Sequence, residues 1–84
     1  MAARKRKEYG QYIVADPEIC HGKLTFKGTR ILVADVLRML AKGWDWDRIS
    51  AAYAGSVGHE AIAEAIELAR ESLVEKTEKP LRAA

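Results

Sequence analysis

Apolar residues change their spacing once along this chain, near Val33, and that change limits the possible architectures more than any other feature. Before Val33 the apolar residues come in short β-prone runs, and after it they recur every three or four positions, the period of one helix face. The first stripe of this kind consists of Val33, Val36, Leu37 and Leu40. The sequence therefore predicts short strands first and helices afterwards.

The part before Val33 is predicted to hold small β elements. Residues 12–15 form a β-prone run that ends at Asp16 and Pro17, because proline cannot donate to a strand ladder. A second extended run covers residues 24–26, and Gly28 marks a turn after it. Residues 31–33 are predicted to return as a third short strand.

Three helices are predicted to follow. The first ends near Gly43, which suits a left-handed stop, and Asp45 can cap a short second helix that Gly55 ends. Gly58 precedes a longer third helix, which is expected to fray after Glu75. The core stripe of the third helix is predicted to consist of Ile62, Ala65, Ile66, Ala69 and Leu73. The predicted fold class is therefore mainly α, with short N-terminal β strands followed by a three-helix, helix-turn-helix-like (homeodomain-like) bundle.

The chain is predicted to contain one domain. Its 84 residues divide into a flexible basic arm (1–10), a single helix-turn-helix-like domain (11–76) and a flexible C-terminal tail (77–84). A chain of this size buries a modest core, which favours a homodimer. The net charge of +2 is uneven, because acids outnumber bases from Glu8 onward. The arm concentrates positive charge in four consecutive residues, Arg4, Lys5, Arg6 and Lys7.

Several function classes receive no support from the sequence. There is no apolar run of roughly 20 residues, the length that spans a bilayer, and no apolar stretch typical of a secretory signal. The single cysteine, Cys20, excludes an internal disulfide, so we expect a cytoplasmic protein. Cys20, His21 and His59 have poor spacing for a zinc site, and no nucleophile, base and orienting acid can be grouped. We expect no metal, no cofactor and no enzymatic activity.

The candidate DNA-contacting residues are basic. Besides the arm, they are Arg30, Arg38, Lys42 and Arg48. Lysine and arginine neutralise phosphates, although each of these residues would equally suit a solvated face, and the arm would equally suit an acidic protein surface. Arg30 has a structural alternative, because it could pair with Asp16 or Asp35 while Gly28 and Thr29 shape the turn. The third helix argues against base reading, since exposed glutamates such as Glu60 and Glu64 repel phosphates.

Two tryptophans flank Asp45 between the first two helices. Trp46 is expected in the core, whereas Trp44 is a candidate interface anchor if it is exposed. The alternative for Trp44 is that it covers the edge of the core.

The whole pattern resembles a known bacterial family. The segment DPEICHGK at 16–23, followed by KGTRI at 27–31 and Val33, resembles the signature of domain of unknown function 433. The pattern continues in register to about residue 69. The chain departs from it at Leu24 and Ala54, where members usually carry proline, and at Gly58, where they carry a serine or threonine cap. These departures alter turns and capping.

The resemblance implies a VapB-type antitoxin with a helix-turn-helix fold. Such proteins are encoded beside PIN-like ribonuclease toxins, which they bind, and they repress the shared operon by binding operator DNA. They often place a C-terminal segment on the toxin, which makes Leu81 and Arg82 candidate partner contacts, with Arg82 facing the acidic site of the nuclease. The alternative, favoured by the acidic third helix, is a protein-interaction module for dimerisation or scaffolding that binds no DNA.

Overall fold

A computed structural model of the protein describes residues 6–83, with side chains described as far as residue 76. A small antiparallel sheet, with strand order β1-β2-β3, precedes three helices, as the sequence predicts. The strands are β1 (Lys7–Glu8), β2 (Ile13–Ala15) and β3 (Leu24–Phe26), and the helices are α1 (Val33–Ala41), α2 (Trp46–Ala52) and α3 (His59–Ala83). A single 3-10 turn, Cys20–Gly22, lies between β2 and β3.

The first strand lies inside the segment that the sequence assigns to a flexible arm. Lys7 pairs with Ala15, and Glu8 pairs with Val14. The domain boundary at residue 10 is therefore wrong for the part of the arm that the structure describes, and Arg4 and Lys5 lie outside the described residues. The sequence does not predict this strand because both of its residues are charged and exposed, so it has no alternation of apolar and polar residues.

The predicted third strand is a single bridge. Leu32 pairs with Thr25, and Val33 already begins α1. The β-branched residues at 31–33 suit a strand locally, but Val33 is buried as the first helical residue. Tertiary burial therefore overrides the local preference at this point.

One core joins the inner face of the sheet to all three helices. Its fully buried members are Ile13, Phe26, Val36, Ile49, Val57 and Ile62, with Val33, Ala61 and Ala65 nearly so. Both tryptophans are partly buried and pack against this core. No helix in the part of the chain that the structure describes is long and apolar enough to cross a bilayer.

The third helix extends beyond the core. Its backbone continues to Ala83, past Glu75, where the sequence predicts that it frays. Ala69 is exposed and Leu73 is 61% exposed, so the prediction that both belong to the core is wrong. The apolar stripe continues in register along α3, but the sheet and the other helices are too short to cover its second half.

A carboxylate on α3 fastens the β1–β2 hairpin to the helix. Glu64 accepts hydrogen bonds from the backbone amides of Gln11, at 2.8 Å, and Tyr12, at 2.7 Å. A side chain at Gly10 would overlap this carboxylate. Glu64 is half-buried, so its assignment to an exposed helix face is wrong.

The turn after β3 has the structure that its residue types predict. Gly28 has a φ of +77°, in the left-handed region that favours glycine. The Thr29 hydroxyl donates to the carbonyl of Phe26 at 2.8 Å and accepts from the amide of Ile31 at 3.0 Å. Arg30 is exposed, and among the described residues it makes no ion pair with either acid suggested for it.

Replacement by valine should have opposite effects on stability at Thr25 and at Thr29. The hydroxyl of Thr25 is buried without a hydrogen-bond partner, whereas that of Thr29 makes two hydrogen bonds. Thr25→Val should raise the free energy of unfolding by about 1 kcal/mol, and Thr29→Val should lower it by about 1–2 kcal/mol. Urea denaturation of both variants measures this, and equal signs would contradict the hydrogen-bond assignment.

The hairpin contact predicts a specific cost for losing one carboxylate. Glu64→Gln keeps one acceptor oxygen but turns an amide N–H toward a backbone N–H, so unfolding should become easier by about 1–3 kcal/mol. Glu71→Gln, on the exposed part of the same helix, is the matched control and should change stability by less than about 0.5 kcal/mol. Equal urea midpoints for the two variants would show that the contact contributes nothing.

Candidate functional site

Three of the predicted DNA-contacting residues lie around the turn between α1 and α2. Arg38 lies in the last turn of α1, Lys42 is its C-cap, and Arg48 lies in the first turn of α2. A cavity of about 280 Å³ opens at this turn, and its lining residues are Asp35, Arg38, Met39, Lys42, Trp44 and Tyr53. We call this cavity, together with Arg48 on the Trp44 ring, the basic groove.

Local chemistry fixes the turn that shapes the basic groove. Gly43 has a φ of +93° and ends α1 as predicted, and the amide of Trp44 returns to the carbonyl of Met39 at 3.1 Å. Asp45 then caps α2 by accepting from the amide of Arg48 at 2.7 Å. The α1 stop and the α2 cap thus place Trp44 and Arg48 side by side.

The Arg48 guanidinium lies over the Trp44 ring. Its central carbon is 3.8 Å from the ring centroid, which is a close cation–π stack. Trp44 is half-buried at the edge of the core, and Arg48 is exposed. The sequence analysis missed this pair, although the spacing of four residues across a capped turn is the signal that could have found it.

Cations exceed acids in the basic groove. Asp35 is the acid among the lining residues, which also include Arg38 and Lys42. Arg48 adds a third positive charge, beside the carboxylate of the Asp45 cap. Burial, and secondarily the Asp35 carboxylate, raise the pKa of the Tyr53 phenol above its ordinary value. Tyr53 therefore stays a neutral donor at physiological pH. The site can attract an anionic ligand and offer it several N–H donors and one O–H donor.

The other predicted DNA contacts lie elsewhere. Arg6 pairs with Glu8 at 3.2 Å, and the ammonium of Lys7 lies 5.1 Å from the centroid of the Tyr9 ring. Arg30 lies on the loop between β3 and α1. Arg4 and Lys5, and the side chains of Leu81 and Arg82, are outside what the structure describes. Of the predicted DNA contacts that the structure describes, Arg6, Lys7 and Arg30 are thus not lining residues of the basic groove.

The start of α3 is joined to α2 by a contact that the sequence analysis did not find. His59 lies 2.8 Å from a carboxylate oxygen of Asp47, and its ring meets the edge of Trp46 at a centroid distance of 5.6 Å. Cys20 lies far from His59 in the sequence, and its thiol lies 3.7 Å from the carbonyl oxygen of Arg30. Among the side chains that the structure describes, residues 6–76, no group of three or more metal-ligating residues comes together.

A second groove, of about 440 Å³, separates the hairpin from α3. Its lining residues are Tyr9, Ala63, Glu64, Glu67, Leu68 and Glu71. Glu64 is occupied by the hairpin amides, and Glu67 pairs with Arg70 at 2.9 Å. We call it the acidic groove. Its carboxylates would repel a phosphate backbone.

The comparison with protein families gives one result. A family model described as a protein of unknown function, DUF433, matches residues 13–69, more than half of the chain. The matched range includes every residue of the basic groove. No curated protein and no solved structure matches the chain.

Proposed function

The chain belongs to the DUF433 family, and from that premise we propose that it is an antitoxin-like regulator that binds its operator DNA and a PIN-like ribonuclease toxin. The DNA part of this proposal is carried by Arg38 and Lys42, which line one cavity, and by Arg48, which stacks on Trp44 at its edge. The toxin part rests on the family resemblance. The protein is proposed to act in the cytoplasm, as a homodimer, and without a reaction of its own.

Charge is the physical basis for operator binding. Each phosphate that a protein neutralises on duplex DNA releases counterions, and the logarithm of the binding constant falls with the logarithm of salt by about 0.9 per phosphate. Three cations that each neutralise one phosphate therefore predict a salt slope of about −2.7. Arg4 and Lys5 would add to it if they reach the duplex.

The helical order supports a helix-turn-helix in its homeodomain-like form, which is part of the proposal. In that arrangement the last helix commonly enters the major groove. Here the first turn of α3 carries Glu60, and Glu67 lies about two turns further along the same helix. We therefore propose that DNA approaches from the α1–α2 side, where the charges are favourable.

The second half of α3 supports the remaining interactions. Leu73 is 61% exposed and Val74 is 37% exposed, so apolar surface is available for a homodimer. Leu81 and Arg82 follow on the same helix and are the proposed toxin contacts. An arginine there could pair with the acidic metal site of a PIN-like nuclease.

A protein-interaction module without DNA affinity is the second candidate. The acidic groove favours it, since carboxylates and the apolar surface of Tyr9 and Leu68 suit a basic protein partner better than a nucleic acid. Absence of DNA binding at the basic groove would favour this second candidate.

Operator binding is tested by titrating the protein onto DNA from upstream of its own gene and onto random duplex of equal length, over a salt series. The double variant Arg38→Gln, Lys42→Gln should weaken binding and reduce the salt slope by about 1.8. Arg70→Gln, an exposed arginine outside the groove, is the matched control and should leave the slope unchanged. Deleting residues 1–5 tests the arm without removing β1.

Equal, weak binding to both DNAs, unaffected by the double substitution, would overturn operator binding and favour the interaction module.

Toxin binding is tested with the PIN-like ribonuclease, if one is encoded beside this gene. Deleting residues 78–84 should abolish neutralisation of its nuclease activity, because the deletion removes the proposed contacts. Arg82→Glu should weaken neutralisation by reversing the charge that faces the acidic site. Circular dichroism of both variants controls for folding, and neutralisation that survives the deletion would contradict the assignment.

A further inference from the structure

Arg48 differs from the other two cations of the basic groove in being held in place. Its guanidinium stacks on Trp44 at 3.8 Å, and the amide of the same residue is fixed by the Asp45 cap at 2.7 Å. Arg38 and Lys42 have no comparable side-chain contact among the residues that the structure describes. Arg48 therefore loses less side-chain freedom when it binds a ligand in one fixed orientation.

The donors of Arg48 remain available. Stacking covers one face of the guanidinium, while its N–H groups lie in the plane and point away from the ring. No carboxylate among the described side chains, those of residues 6–76, forms an ion pair with this guanidinium. A planar fork with free donors fits a ligand that accepts two hydrogen bonds side by side.

Guanine offers such a pair of acceptors in the major groove. Its O6 and N7 atoms accept two hydrogen bonds from one arginine, which is the commonest base-specific contact in protein–DNA complexes. Phosphate contacts tolerate mobile cations, because the attraction is mainly electrostatic and carries no sequence information. The two kinds of cation in the groove thus suit two different tasks.

We propose that Arg48, oriented by Trp44, reads a guanine edge in the operator, while Arg38 and Lys42 contact the flanking phosphates. This inference rests on the proposed function, because it assigns the sequence-reading role within the same groove. Arg48 is the specificity-determining residue, and Trp44 is a positioning residue that acts through it.

The experiment replaces single guanines of the upstream DNA by 7-deazaguanine, which removes the N7 acceptor but keeps base pairing and charge. Wild-type protein should lose about tenfold in affinity at one guanine position, because the loss of N7 breaks one of the two hydrogen bonds of the bidentate contact. Arg48→Ala removes the donors of the fork and should lower the affinities for modified and unmodified DNA to the same value. Arg38→Ala, which loses the same charge, is the matched control and should keep the tenfold difference.

Trp44→Leu tests the positioning role. It keeps apolar packing at the edge of the core but removes the aromatic ring, so the tenfold difference should shrink while affinity for random duplex stays unchanged. A merely structural role would lower both affinities together. Trp44→Phe, which retains a ring, should restore part of the difference.

The outcomes separate the inference from the proposed function. Preference for upstream DNA without sensitivity to any 7-deazaguanine, or sensitivity that persists in Arg48→Ala, would overturn the guanine contact and leave operator binding standing. No preference for upstream DNA would overturn both. Loss of sensitivity confined to Arg48→Ala and Trp44→Leu would support the inference.

Discussion

The carboxylate of Glu64 joins two parts of the chain that local structure alone would leave apart. It accepts the amides of Gln11 and Tyr12, which lie more than fifty positions earlier in the sequence. These amides belong to the loop of a hairpin whose first strand has only two residues and cannot hold itself in place. With the hairpin fixed to α3, Ile13 on β2 reaches the core, and the sheet covers the helices from one side. The contact therefore works together with the shared core to keep the sheet on the helices, as a two-layer domain requires.

The basic groove depends on a different kind of constraint, which is entirely local. A glycine with positive φ ends α1 and an aspartate caps α2, so both ends of the four-residue connection 42–45 are fixed. The positions of Trp44 and Arg48 follow from that turn, and Trp44 also packs against the edge of the core. A binding surface built this way is preorganised, so a ligand meets donors that are already near their bound positions. Substitutions in the basic groove should act mainly through side-chain charge and turn geometry, whereas substitutions in the core act mainly through side-chain volume.

Much of this architecture could be predicted from the sequence where the signal was local. Strands β2 and β3, the end of α1 at Gly43 and the cap of α2 at Asp45 follow from residue types and spacing. The first strand could not be predicted, because Lys7 and Glu8 owe their pairing to β2 and carry no apolar pattern. Leu73 was misplaced for a related reason, since helical periodicity shows which face is apolar but not where the covering layer ends. In the site, Arg38, Lys42 and Arg48 were chosen singly by charge, whereas their convergence required the structure.

The end of the covering layer divides α3 into two physically different helices. Up to Leu68 its turns are held by the core, and from Ala69 to Lys76 every side chain is exposed. An exposed helical stretch of this length is marginal in water. Amide hydrogens of the first half should exchange only when the whole domain unfolds, and those of the second half through local opening. The binding free energy of any partner on the second half is therefore reduced by the cost of ordering this part of α3. Substitutions that raise helix propensity at exposed positions lower that cost, so they can increase affinity without changing a contact.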